Sequence, residues 1–254
     1  MTYPVVAWQR EIRDRRAREE LDADLFGRWW EGIDRSIGNG VVRETTFDTA
    51  KAIIEDYEWL GSMPHITLLC YGIFFDGACG GVVCYAPEYI ENLGRWDRYG
   101  YTGKIILLAR GACVHWAHPH SGSKLIMGSV KLLPPRYEVV TAMADRRAGE
   151  YGTLYQACGW HYVGAMREIS GLVKRQSTMM VDGRPMAHRT MKQRFGTANR
   201  VALTARFPEA QFIQDIDKDR YFCFRGSRKA KRLHVNAISH LIKPYPKRDA
   251  TPRK

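Results

Sequence analysis

Apolar and polar positions along the chain alternate in short periodic segments. Residues 1–36 are strongly charged, but Leu21, Leu25, Trp29 and Ile33 recur at three-to-four spacing, which predicts an amphipathic helix laid on the main domain. IGNG at 37–40 reads as a turn, VVRETT as a short strand, and FDTAKAIIEDYEWL as a helix that stops at Gly61 with Pro64 just beyond. LLCYGIFFDG and GACGGVVCYA form a predicted hairpin whose turn is Asp76-Gly77. A small helix is expected at PEYIENLGRW. KIILLARGACVHW is the longest strand candidate, and its almost unbroken apolar run implies a central strand covered on both faces. After the loop AHPHSGS come a helix over KLIMGSVKLLPP, a strand over EVVTAMAD, a short helix around Tyr155 and a strand around Tyr162. Beyond Gly164 the pattern weakens. VDGRP reads as a turn, AHRTMKQRFG as a basic segment, DRYFCFRG as a strand, RKAKRLHVNAISHLIKPYPKR as a basic close, and DATPRK as a disordered end.

This order predicts an α/β fold of the α+β mixed-sheet kind, with helices on the faces of one sheet. The expected division is an N-terminal helical extension over 1–40, a core over 41–166 and a basic C-terminal extension over 167–254. A chain of 254 residues has room for one sizeable core or a core with an appendage. It contains no run of eighteen apolar residues and no signal-like start, so no membrane association is expected and a cytoplasmic location is. The six cysteines, Cys70, Cys79, Cys84, Cys113, Cys158 and Cys223, lie mostly in apolar runs without CxxC pairing, and are read as buried reduced thiols.

Charge changes the picture. The net +12 is concentrated in the last third, where residues from Arg167 onward hold 21 Lys and Arg against 7 Asp and Glu. Such a block is the usual footprint of contact with a phosphate backbone, although a solvated basic tail would look similar. Arg175, Arg184, Arg189, Lys192, Arg194, Arg225, Arg228, Lys229, Lys231 and Arg232 are interleaved with Phe195, Tyr221, Phe222 and Phe224. That mixture fits double-stranded DNA as a partner.

The element order, and the run GTLYQACGWHYVG with Tyr155, Gly159 and Trp160, resemble the GCN5-related N-acetyltransferase (GNAT) fold. The resemblance implies a GNAT-like acyltransferase fold and a general-acid role for Tyr155, which would protonate a departing thiolate. A closer likeness is to the bacteriophage Mom proteins, a divergent GNAT branch that modifies adenine in phage DNA. It is carried by Arg110-Gly111-Ala112-Cys113, Ser123, Ala144-Asp145, and the run from Gly149-Glu150 through Gly152 to Tyr155-Gln156-Ala157, and covers about residues 41–166. The likeness implies a phage-encoded transferase in the cytoplasm of the host bacterium. It would place a small carbamoylmethyl or acyl-type group on the adenine N6 amine and so protect phage DNA from restriction. Catalytic candidates are then Asp145, Tyr155, Arg110, Ser123, Glu150 and Glu58, with Trp59, Gly152 and Gln156 as substrate-binding candidates. The chain departs from the family at Glu58-Trp59, where Mom proteins carry a His-Tyr pair. It also departs at His118 to Lys124, which stand in place of the usual GNAT pyrophosphate loop. The donor therefore stays open among an acetyl-CoA-type compound, an aminoacyl-tRNA and another small activated metabolite.

Modifying an aromatic amine needs a pocket for an extruded base, an activated donor and a proton acceptor. Asp145, at the end of a strand, could accept a hydrogen bond from the amine or could simply cap the next turn. Arg110 lies in an apolar strand and needs a partner: Asp145 or Glu150 as pure structure, or substrate. Ser123 and Lys124 open a helix whose N-terminus could hold an anion, unless Ser123 is a plain cap. Trp59 could stack on a flipped base or anchor the helix end. His115, His118 and His120 have a spacing that could converge on iron or zinc, and iron has been discussed for Mom proteins; loop or core histidines show the same pattern. A homodimer is possible. Two other readings stay open: a GNAT acyltransferase acting on a protein or small amine, and a non-catalytic nucleic-acid-binding protein on a GNAT scaffold. A basic face on the side of Asp145 and Tyr155 would favour DNA modification, and one on the opposite side would weaken it.

Overall fold

The computed structural model describes residues 6–23, 29–88, 96–165, 177–181, 184–186, 188–214 and 218–247. Two compact units emerge, one of residues 1–164 with 218–254 and the other of residues 165–217. The first is built on a seven-stranded mixed sheet in the order β1-β2-β3-β4-β5-β10-β6. Its strands are β1 (Val41–Glu44), β2 (Leu69–Phe75), β3 (Ala78–Ala86), β4 (Ile105–Cys113), β5 (Val139–Ala144), β6 (His161–Ala165) and β10 (Asp219–Phe224).

The hairpin between β2 and β3 turns at Asp76 and Gly77, both with positive φ (46° and 85°), the geometry that the Asp-Gly pair implies. Side chains alternate across the sheet and so build two apolar layers. Cys70, Val82, Cys84 and Ala112 face helix α2 (Phe47–Tyr57) through Ala50 and Ile54. Tyr71, Val83, Tyr85, Ile106, Leu108 and Val140 share the larger core with Leu125, Ile126 and Val130 of helix α3 (Ser121–Leu132). Strand β4 is the middle strand, as its apolar run implies. All six cysteines are unpaired. Among the described residues no helix is long and apolar enough to cross a membrane.

Three expectations are corrected. Helix α1 is described over Trp8–Ala23; of the expected stripe, Leu21 and Trp29 are 50% and 67% exposed, Ile33 packs against the core, and Leu25 lies outside the described residues, so the stripe is not what holds α1. Polar contacts hold it instead. Gln9 Nε2 donates to the Gly111 carbonyl at 2.8 Å, and Arg13 donates to the carbonyls of His115 and Ala117 at 3.3 and 3.0 Å. Second, DRYFCFRG does not belong to an appended extension: as β10 it runs antiparallel to β5 and lies between β5 and β6. Third, the compact units therefore do not follow a single boundary near 166, because residues 218–254 return to the first unit. Most of the expected helix at PEYIENLGRW, together with Arg175 and DATPRK, lies outside the described residues.

The second unit is an insertion between β6 and β10. A three-stranded antiparallel sheet in the order β8-β7-β9 is made of β7 (Ser177–Val181), β8 (Arg184–Met186) and β9 (Gln211–Gln214). Helices α5 (His188–Phe195) and α6 (Arg200–Arg206) join it around Met179, Met186, Met191 and Leu203.

The charge within β10 is fully internal. Arg220, 0% exposed, donates through one guanidinium nitrogen to both oxygens of Glu88, at 3.1 and 2.9 Å, and Thr141 donates to the same carboxylate at 2.5 Å. Leaving either charge alone in this interior would be costly. Arg220→Met is expected to lower unfolding stability by about 3–5 kcal/mol in urea titrations, and Arg220→Met with Glu88→Leu by clearly less.

Candidate active site

Strands β4 and β5 pair in parallel only from Ile105↔Val139 to Leu108↔Ala142. Beyond that point β4 stays with β3 as far as Cys113, and β5 stays with β10 as far as Ala144. The two central strands part, and a crevice opens at their C-terminal ends, where open sheets carry their sites. The N-terminal segment borders this crevice: Gln9 takes the Gly111 carbonyl, and a side chain added at Gly149 would meet the backbone of Val6 and Ala7 at 3.0 Å.

The sequence candidates do not all serve the same purpose there. Asp145 is 1% exposed and committed. Its Oδ1 accepts from the Arg147 backbone N–H at 3.0 Å, capping the 3-10 turn Arg146–Ala148, and its other oxygen meets the Arg147 guanidinium at 2.6 Å and Lys218 Nζ at 3.5 Å. Burial alone would raise its pKa, but the hydrogen bond from Arg147 and the charge of Lys218 hold the carboxyl below its usual range. Asp145 therefore builds the site wall. Arg110 pairs with neither Asp145 nor Glu150: its Nε donates to the Ser62 carbonyl at 2.9 Å and stands 4.0 Å from Glu58. Ser123 is not the cap of α3, which begins at Ser121; its hydroxyl donates to the His120 carbonyl at 3.0 Å. Gly152 has φ +64°, and a methyl group there would run into the buried Tyr221 ring. Gln156 donates to the Tyr151 carbonyl at 2.6 Å and to the Tyr221 hydroxyl at 3.2 Å, so Gly152 and Gln156 fasten the loop that carries Glu150.

Glu150, Glu58 and Tyr155 share one low-dielectric environment. Burial, and next the negative charge of Glu58, push the Glu150 carboxyl up to about 7. Burial raises Glu58 as well, with Arg110 opposing, and its Oε2 accepts the Leu60 N–H at 2.7 Å. Tyr155, on helix α4 (Thr153–Ala157), packs 5.1 Å from the Trp160 ring and 5.3 Å from Tyr221. Burial followed by the charge of Glu150 raises its pKa strongly, so the phenol stays protonated. The arrangement offers a carboxyl able to exchange a proton near neutrality and an acid that holds its own. Trp59 contacts Trp8 edge-on at 5.6 Å, and Lys218 lies 5.6 Å over its ring, which covers one face.

Lys218 escaped the sequence reading, and Tyr221 reads there only as an aromatic of the basic segment, because they precede and occupy β10, far along the chain from Asp145. Arg147, two residues from Asp145, could have been found from the Asp-x-Arg spacing at a strand end. At the start of α3 the N–H groups of Gly122 and Ser123 have no backbone acceptor among the described residues, and the buried Ser121 hydroxyl has no partner among them, a setting that fits a phosphate of an activated donor. Lys124 instead reaches the carbonyls of Ile37 and Gly38.

The histidines do not converge. His115 is drawn inward, with Nε2 2.5 Å from Glu20 and Nδ1 2.9 Å from the Tyr57 hydroxyl, while His118 Nδ1 accepts the His120 backbone N–H at 3.1 Å. Among the described residues no group of three or more His, Cys, Asp or Glu could hold a metal ion, so iron does not fit them. A cavity of about 450 Å³ runs along Arg16, Glu20, Trp29, Tyr57, His115 and Trp116, and none of Glu58, Asp145 or Glu150 lines it.

The basic candidates divide. Arg225 donates to the carbonyls of Pro134, Tyr137, Lys131 and Leu133 (2.7–3.3 Å), closing the C-terminal end of α3, and is thereby withdrawn from phosphate contact. Arg228, Lys229, Lys231 and Arg232 are exposed on helix α7 (Arg228–Ala237). That helix follows Phe224, which pairs with Val139, and His234 meets Glu138 at 2.7 Å, so α7 stands at the opposite end of β5 from Asp145. Lys192 and Arg194 are exposed on α5, and Arg189 lies on the same helix.

Residues 39–247 match the model of the Mom protein family. The chain belongs to the Mom protein family. Within the family, it is 25% identical over 236 residues to methylcarbamoylase mom of Escherichia phage Mu, covering 86% of this chain and 89% of the phage protein. Among solved structures, a Bacillus subtilis acetyltransferase in complex with CoA has 11% identity and a TM-score of 0.35, covering 74% of this chain and 99% of that one. Drosophila melanogaster polyamine N-acetyltransferase has 8% identity and a TM-score of 0.39, covering 73% of this chain and 100% of that one. At these scores the likeness is too distant to transfer chemistry.

Two stability outcomes follow from this geometry. Asp145→Ala should cost about 3 kcal/mol by breaking a buried, capping ion pair. Arg225→Ala should cost about 2 kcal/mol by freeing the carbonyls it ties together. Chemical denaturation checks both.

Proposed function

We propose that this chain is a phage-encoded transferase that adds a small carbamoylmethyl or acyl-type group to the N6 amine of adenine in duplex DNA. The observation that carries the reading is the setting of Glu150 and Tyr155: a carboxyl pushed up to about 7, whose charge acts on a buried phenol that stays protonated. Membership of the Mom family and the name of the phage Mu relative support the kind of group transferred. Deprotonated Glu150 accepts the proton that the amine loses as its nitrogen bonds to the donor carbon. Tyr155 gives its proton to the leaving group as the bond within the donor breaks, and solvent restores both residues. The N-terminus of α3, with Ser121 and Gly122, would hold a phosphate of the donor, which supplies the activated carbon. A group on adenine N6 fills the major groove where restriction enzymes read the base, and so protects phage DNA.

The position of α7 at the far end of the sheet favours a second reading, a GNAT-like acyltransferase acting on a protein or small amine. The C-terminal segment does return towards the crevice, with the Lys243 N–H donating to the Tyr162 carbonyl and Gln156 reaching the Pro246 carbonyl at 3.5 Å.

Mass spectrometry of nucleosides from plasmid DNA of expressing cells decides between them. A heavier deoxyadenosine is expected with the wild type, with a yield about a hundredfold lower for Glu150→Gln and reduced for Tyr155→Phe. Unmodified deoxyadenosine from soluble wild type would sink the DNA reading. Because Glu150 must lose its proton to act, the transfer rate should climb as pH rises through about 7, and this limb should vanish in Glu150→Gln. Stability should run the other way: folded Glu150 holds its proton above the unfolded value of 4.5, so its contribution is present below pH 4.5 and is lost towards 7.

A further inference from the structure

The inserted unit carries a basic surface of a different kind from α7. Helices α5 and α6 are joined by Gly196 to Asn199. Gly196 turns the chain at φ +75°, and the Asn199 side chain accepts the N–H groups of Val201 and Ala202 at 2.9 and 3.2 Å, starting α6. Met191 and Leu203 are buried between the helices and the small sheet, with Phe195, Ala198 and Phe207 packed against them. Two short helices joined by a glycine-containing turn, with one face locked in a core, present the second helix outward.

That outward face is chemically specific. From Arg184 to Pro208 the chain has six Lys and Arg and no Asp or Glu. Lys192, Arg194, Arg200 and Arg206 are exposed, and none has a carboxylate within ion-pair reach among the described residues. On α1, by contrast, arginines pair with acids along the helix, as Arg10 does with Asp14 and Arg15 with Glu19. Arg200 lies 5.5 Å over the Phe212 ring, and Arg206 lies 5.5 and 5.3 Å over Phe195 and Phe207. Stacking of this kind orients a guanidinium while leaving its N–H edge open for bonding. Between these cations Val201 is 79% exposed, and Thr204 is exposed one turn further along.

We propose that this helix pair reads duplex DNA. Helix α6 enters the major groove with Arg200, Val201 and Thr204 towards base edges, while Lys192 and Arg194 of α5 lie on phosphates. The inference rests on the DNA reading above and assigns the choice of sequence context to the insertion. An exposed valine suits contact with a thymine methyl, and an arginine and a threonine can bond to base edges in the same groove. Phosphate contacts from α5 would add affinity without sequence preference.

The test uses the full-length chain. Binding to a labelled 30-base-pair duplex (a length of about three helical turns) is measured by fluorescence anisotropy, and modified nucleosides and their sequence context are read from plasmid DNA. Val201→Glu with Thr204→Glu is expected to weaken duplex binding at least about tenfold and to alter which adenines are modified, with the product mass unchanged. Lys192→Glu with Arg194→Glu should weaken binding to all sequences alike and reduce the salt slope by about two. Wild-type binding by both folded double variants, judged by unchanged circular dichroism and melting, overturns the proposal. If the wild type binds duplex through these residues yet leaves deoxyadenosine unmodified, the reader stands and the transferase reading falls.

Discussion

The buried pair of Arg220 and Glu88 fixes β10 between β5 and β6, and most of the crevice depends on that placement. Arg220 has no solvent to fall back on, so β10 is held to a register in which its guanidinium meets the carboxylate. That register sets Asp219 beside Ala144 and Tyr221 beside Ala142. Arg146 then clamps Asp219 at 2.6 Å, while Tyr162 donates to the same carboxylate at 3.0 Å. Lys218 arrives next to Asp145 as a consequence, and the Tyr221 hydroxyl donates to the Tyr151 carbonyl at 2.7 Å to hold the loop after Glu150.

Three carboxylates near one crevice would ordinarily repel each other into protonation. Here each is given a different environment. Asp145 has a guanidinium and an ammonium and stays charged; Glu58 has a backbone N–H and the more distant Arg110; Glu150 has burial and like charge. Burial and neighbouring charge thus push carboxyls of one chemical type in different directions, Asp145 down and Glu58 and Glu150 up.

Local chemistry made parts of this legible in the sequence. The Asp76-Gly77 turn, the apolar run of β4 and the Ala-Asp strand end each reflect forces acting within a few residues, and each is found where the pattern implies. The family motif likewise contained Glu150 and Tyr155. Long-range consequences were hidden. The cap at Asp145 and its Arg147 partner are local and within reach of the sequence, but Lys218, 73 positions on, is seen only in the fold. Arg225 sits in a basic stretch and reads as a phosphate contact, yet four carbonyls at the end of α3 claim it. Helix α1 misled in the opposite direction, because its apolar spacing was incidental to the hydrogen bonds that hold it.

The insertion of a whole unit between β6 and β10 also governs the order of events at the ribosome. Strand β5 is complete by Ala144, but its antiparallel neighbour begins only at Asp219. Until that later segment has been synthesised, one edge of β5 is unpaired and the space that Tyr221 will fill is open, a state prone to pairing with other chains. Closure of the loop then completes the sheet and the crevice in one step. A truncated translation product therefore lacks the crevice however well its first 164 residues have collapsed, because the strand that completes the first unit lies beyond the insertion.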